Sequence, residues 1–144
     1  MQSNKPLDKN IQFLISANYQ RMMSFEQAAF LTGEPSFKEF YLQKAEESEI
    51  NMQQLYLMLN INQPGAEQLA ALANSTADIY LPNMLTGKKN AVKILESVKS
   101  AEKTIAKWYK NTLQEIADLP REMVELVKEQ YRLVNTAQLQ LEHL

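Results

Sequence analysis

The chain has 144 residues, no cysteine, and a net charge of −2 from 15 basic and 17 acidic residues. That length suits a single domain, residues 1–144, burying roughly two-thirds of the surface its unfolded form exposes around one expected core. Without cysteine there are no disulfides, thiolate metal sites or cysteine nucleophiles, and a near-neutral charge supplies no field to draw in nucleic acid or an anionic membrane.

Only three glycines and five prolines stand against many Leu, Ala, Gln, Glu and Lys residues, so helix is the prior. The polar start, Met1 to Pro6, lacks the apolar run of a signal peptide, and no window reaches the ~18 apolar residues of a membrane span, so a cytoplasmic protein without membrane contact is expected.

The first helix is predicted from about Leu7 to Thr32, with Ile11, Leu14, Met22, Phe25 and Ala29 on its inner face. Gly33 offers a left-handed C-terminal cap and Pro35 blocks continuation. Ser36 and Glu39 read as a capping box that opens a second helix, whose stripe is Phe37, Phe40, Tyr41, Ala45, Ser48, Met52, Leu55 and Leu59. It lasts until the break Asn62-Gln63-Pro64-Gly65. Leu69, Leu72, Ile79, Leu81 and Leu85 suggest one or two short helices crossing the end of a bundle. A third helix, about Lys89 to Asp118, carries the clearest heptad: Ala91, Leu95, Val98, Glu102, Ile105, Tyr109, Thr112 and Ile116. After Asp118-Leu119-Pro120, with proline in a first helical turn, a fourth helix runs through Val124, Val127, Tyr131, Val134, Ala137 and Leu141.

Links of about four residues within each helix pair, and a longer one between the pairs, predict two helical hairpins joined by a crossover. The expected fold is therefore all-α: an antiparallel, ferritin-like four-helix bundle with short helices in the crossover.

Several segments carry a family resemblance: Phe25-Glu26-Gln27-Ala28-Ala29, Phe40 to Glu47, Leu85-Thr86-Gly87, and Leu119-Pro120 followed by Glu129-Gln130. They resemble a bacterial ferritin-like family of unknown function, distantly similar to rubrerythrin. The resemblance implies a bundle of the kind that holds two irons, with a Glu from each of two helices and Glu-x-x-His from each of the others. Laid over that pattern, the Glu-x-x-His pair falls on Ser48 and Asn51, the helix-one glutamate falls near Asn18, and helix four offers Gln130 or Gln138. The single histidine, His143, is the penultimate residue and cannot serve at mid-bundle. So few anionic ligands would leave a di-metal charge uncompensated in a low-dielectric core.

Glu102 occupies a seam position among Val98, Ile105 and Tyr109, where a carboxylate must find hydrogen bonds or take up a proton. Its expected partners are Asn18, Ser48, Asn51, Gln130 or Tyr131, and with Asn18, Ser48, Asn51 and Gln130 it forms a candidate buried polar layer that fixes helix register. As a member of such a layer, Glu102→Gln should change stability by no more than about 1–2 kcal/mol. The competing reading makes Glu102 a metal ligand, alongside Glu26, Glu47 and Glu129. Glu46, Glu47 and Glu49 read as a solvated face, because adjacent helical residues diverge. Lys89, Lys93, Lys103, Lys107 and Lys110 form a basic stripe whose simplest partners are acids on the bundle. Phe13, Phe30, Tyr56, Tyr80 and Trp108 cannot all face a four-helix core, so an apolar patch driving dimerisation is expected.

The functional expectation is a non-catalytic ferritin-like bundle that lacks a complete di-iron ligand set, holds no cofactor, and acts through its surface or as a homodimer. A stress-related role is what the resemblance hints at. The alternatives are a degenerate bundle binding iron or manganese at a carboxylate-only site, and an anion- or nucleic-acid-binding helical module using the lysine stripe.

Overall fold

A computed structural model describes residues 5–59 and 91–144, with side chains from residue 9 onward. The expected crossover helices, the Asn62 to Gly65 break, Leu85-Thr86-Gly87, Lys89 and Tyr80 lie outside the described residues. The described residues form four helices and no strand: α1 (Lys5–Leu31), α2 (Pro35–Leu59), α3 (Ala91–Glu115) and α4 (Arg121–Glu142). Helix α1 packs on α2 and α3, α3 packs on α4, and α2 touches α4, so the four close into a bundle.

The helix ends differ from the sequence expectation in small, physical ways. Gly33 does not adopt the left-handed conformation, and nothing lies within 4 Å of where its Cβ would sit. The α1–α2 link is made instead by Thr32, whose Oγ1 accepts from the Glu34 N–H at 3.4 Å. Helix α2 starts one residue before the anticipated capping box. The Lys38 N–H already donates to the Glu34 carbonyl at 2.9 Å, so Pro35 occupies the first turn, where a missing amide costs nothing, and Ser36 lies inside the helix. Helix α3 stops at Glu115, and 116–118 form a turn closed by the Leu119 N–H on the Ile116 carbonyl at 3.0 Å. Pro120 stands at the N-cap of α4 and not within its first turn, its carbonyl accepting from Met123 at 3.0 Å and Val124 at 3.3 Å.

The expected single core is two apolar clusters. One gathers Ile11, Leu14, Leu55, Ile105, Val127 and Val134 among others, and the other gathers Phe25, Ala28, Tyr41, Ala45, Ile94, Val98 and Leu141. On three helices a buried polar stretch separates them: Asn18 and Arg21 between Ala17 and Phe25, Ser48 and Asn51 between Ala45 and Met52, and Glu102 between Val98 and Ile105. Met22 packs against both clusters.

The aromatic residues are less exposed than expected. Phe13 stacks at a tilt on Trp108, with ring centroids 4.8 Å apart, and both lie against the first cluster. Tyr56 is buried in it, which leaves Phe30 as the exposed member of the anticipated patch among the described residues. The Tyr41 and Tyr56 hydroxyls are buried without a hydrogen-bond partner, and burial pushes both phenols up to about 12 from an ordinary 10.0.

An acid whose proton is held more tightly in the fold contributes its stability fully below the unfolded value and loses it as pH rises through the folded value. Alkaline titration should therefore leave the helical signal intact below pH 10 and lose it, together with a rise in phenolate absorbance, as pH climbs toward 12. The Tyr41→Phe, Tyr56→Phe double variant should unfold at higher pH than the wild type. An unchanged alkaline midpoint would count against these two phenols as its cause.

Candidate functional site

The polar layer is built around Arg21, a residue next to the expected inner-face position Met22 and absent from the predicted α1 face. Positions Ile11, Leu14, Asn18, Arg21, Phe25 and Ala28 alternate by three and four along one face of α1 and are all buried. Arg21 stands among the largest fully buried side chains at 0% exposed, and Glu102, on a corresponding seam of α3, is 1% exposed. A buried ion persists only where it is paired and its hydrogen bonds are satisfied.

Arg21 meets that condition with donors on three sides. Its Nε–H donates to both Glu102 oxygens at 3.0 Å, and Nη2 adds a bond to Glu102 Oε2 at 2.6 Å. Nη2 also reaches Glu47 Oε1 at 2.9 Å, and Nη1 donates to Ser48 Oγ at 3.2 Å. Ser48 in turn donates to the Lys44 carbonyl one helical turn back, at 2.9 Å. The guanidinium lies 5.3 Å from the centre of the Phe25 ring. Glu47 Oε2 pairs with Lys44 Nζ at 3.4 Å, which carries the cluster to the edge of the bundle.

Desolvation pulls the Arg21 pKa down, but the charges and hydrogen bonds of Glu102 and Glu47 outweigh it and hold Arg21 above its ordinary value. Desolvation pushes Glu102 up, and there it outweighs the opposing pull of Arg21, with repulsion from Glu47 adding to the rise. The partners balance differently because Arg21 answers to two carboxylates, whereas Glu102 answers chiefly to one cation.

Beside this cluster runs a second, uncharged network that touches all four helices. The Asn18 amide donates to the Leu14 carbonyl at 2.9 Å and to the Tyr109 hydroxyl at 2.7 Å, while its oxygen accepts from Asn51 at 3.1 Å. The Tyr109 hydroxyl donates to Gln130 Oε1 at 2.6 Å, and Gln130 Nε2 donates to the Asn51 carbonyl at 3.2 Å and to Gln54 Oε1 at 2.9 Å. Burial raises the Tyr109 phenol well above its ordinary value, so it remains a neutral donor.

The anticipated residues Asn18, Ser48, Asn51, Glu102 and Gln130 are all buried, but they divide between these two groups. The Asn18, Asn51 and Gln130 side chains join the uncharged network, Ser48 joins Arg21, and Glu102 is held by Arg21, a partner that was not among those anticipated for it. Glu47 departs from the solvated face shared by Glu46 and Glu49, its side chain being 18% exposed and turned to Arg21. The carboxylates of the alternative site do not converge. Glu26 is exposed beside buried Phe25, and Glu129 is exposed beside buried Gln130 and pairs with Arg132. Among the described residues, no three His, Cys, Asp or Glu side chains come together to hold a metal ion. The di-iron centre that the resemblance implies does not fit this donor set, because the two inward carboxylates already accept from a guanidinium and the other inward groups are neutral.

A groove of about 290 Å³ opens elsewhere, between α3 and α4, where Lys99 pairs with Glu96 at 3.6 Å and with Glu142 at 3.8 Å. Lys103 lines that groove, and Lys107 and Lys110 are exposed beyond it. No helix among the described residues is long and apolar enough to cross a membrane. Compared with known proteins, the chain matches no family model and no curated sequence.

Removing one partner of a buried ion pair leaves the other uncompensated. Glu102→Gln is therefore expected to cost about 3–5 kcal/mol in urea denaturation, more than the 1–2 kcal/mol that a neutral layer would lose, because it leaves the buried Arg21 charge with Glu47 alone, a part-exposed carboxylate already shared with Lys44. The double variant Arg21→Met, Glu102→Leu should recover most of that loss. A Glu102→Gln protein as stable as the wild type would show that the pair contributes nothing.

Proposed function

We propose that this chain is a non-catalytic, ferritin-like bundle whose midplane is closed by an internal ion cluster and which acts through its surface as a homodimer in the cytoplasm. The observation that carries the reading is Arg21: at 0% exposed it donates to both inward carboxylates, taking up the lone pairs a cation would need. Among the described residues, the remaining buried polar groups are amides, hydroxyls and the phenols of Tyr41, Tyr56 and Tyr109, all three raised above their ordinary value, a set with no general base poised near neutrality.

The order of contacts supports the antiparallel course. Asn18, Arg21 and Phe25 ascend along α1 while their α2 partners Asn51, Glu47 and Tyr41 descend. Self-association is supported by the exposed apolar ring of Phe30, 84% exposed near the α1–α2 link, with Leu57 at 79% exposed near the other end of the hairpin.

The wild-type protein, purified without a chelating tag, is expected to carry no stoichiometric iron or manganese, to show no ferroxidase activity, and to melt at the same temperature with or without Mn²⁺ or Fe²⁺. Two tightly held metals per chain would overturn the reading. Sedimentation should give a mass that rises with concentration toward a dimer, and Phe30→Ser should weaken that rise. A monomer at every concentration would remove the homodimer.

A further inference from the structure

The shape and charge of the midplane cluster say which ligand it is built to hold. A guanidinium is planar, carries five N–H donors in a fixed fork and is weakly hydrated enough to be buried against an aromatic face. The surroundings of Arg21 answer each property: the Glu102 carboxylate accepts from Nε and Nη2, Glu47 accepts from Nη2, Ser48 accepts from Nη1, and the Phe25 ring lies 5.3 Å away. The charges match as well. Glu102 and Glu47 carry two negative charges, and Lys44 on Glu47 supplies one positive, so the cluster closes to neutrality with one monovalent cation. A divalent metal would leave a positive excess and would find two carboxylates where it needs several more oxygen ligands.

We propose that Glu102, Glu47, Ser48 and Phe25 form a binding site for guanidinium-class cations, which the chain fills from within with its own Arg21. This rests on the reading of the midplane as self-occupied, and it adds that the site selects its occupant by shape as well as charge. Truncating Arg21 to alanine leaves the acceptors in place, removes the fork, and opens a polar space lined by an unneutralised carboxylate. An added alkylguanidinium then restores both the charge and the donors.

The test is chemical rescue of the full-length Arg21→Ala variant, followed by thermal melting in the presence of four solutes at about 20 mM, far below denaturing concentrations. Methylguanidinium is expected to raise the melting temperature of Arg21→Ala by several degrees while leaving the wild type unchanged or slightly lower. Urea, the neutral planar isostere, and ethylammonium, a point charge without the fork, should not rescue. Mn²⁺ should not rescue either. Adding Glu102→Leu to the variant should abolish the methylguanidinium effect. If Arg21→Ala is unfolded in plain buffer, recovery of the helical circular-dichroism signal on refolding with each solute replaces the melting temperature. No rescue by methylguanidinium in either format, or equal rescue by ethylammonium, overturns the proposal while leaving the wild type's lack of metal untouched. Rescue by Mn²⁺ overturns it in favour of a metal site. Metal bound to the wild type sinks the self-occupied reading independently of the rescue.

Discussion

A guanidinium cut off from water must find all of its counter-charge and all of its acceptors inside the protein, and in this bundle that requirement ties three helices to one point. Arg21 comes from α1, Glu47 and Ser48 from α2, and Glu102 from α3. Hydrophobic packing tolerates small slips of one helix on another, since one apolar contact replaces the next at similar free energy. A bidentate pair does not. Moving α1 along α3 by a single turn would carry Arg21 away from Glu102 and leave two buried charges unmatched, at a cost of several kcal/mol.

The uncharged network extends the same constraint to the fourth helix. Tyr109 accepts from Asn18 and donates to Gln130, and Gln130 then reaches back to Asn51 and Gln54, so α4 is registered against α2 through groups that must all be satisfied at once. The apolar clusters to either side supply most of the burial, and the layer between them supplies the alignment. This division explains why the largest buried side chains include both an arginine and a set of Ile, Leu and Phe residues without contradiction.

Most of the α3 seam was legible in the sequence, because Leu95 to Thr112 repeats without interruption and places Glu102 among apolar neighbours; the structure buries these positions, while Ala91 is only part-buried and Ile116 lies in the turn after the helix. Asn18, Ser48, Asn51 and Gln130 were legible as inward-facing because they sit on or beside the stripes of their helices. Arg21 was not. The spacing of Ile11, Leu14, Met22, Phe25 and Ala29 puts the α1 face through Met22, one residue and about 100° of rotation away, and arginine is mostly found exposed to solvent. A heptad written through Ile11, Leu14, Phe25 and Ala28 passes through Arg21 and would have set a buried cation opposite a buried carboxylate. Which amide meets which hydroxyl was beyond periodicity, since that depends on how the four helices are rotated and offset in space. The turn at 32–34 was misread in kind: glycine suggested a left-handed cap, whereas a threonine hydroxyl and a following proline make the connection.

Glu47 gives the midplane its contact with solvent, with a side chain 18% exposed against 1% for Arg21 and 2% for Glu102. The Nε–H and both Nη2 protons of Arg21 are committed to carboxylate oxygens and shielded on most sides, so they are expected to exchange with water when the helices part and not by local rotation of the side chain. Arginine side-chain protons are usually lost to rapid exchange in nuclear magnetic resonance spectra. Here the Nε–H proton is expected to give a slow-exchanging signal from the centre of the molecule, whose lifetime would be a clock for how often the bundle opens.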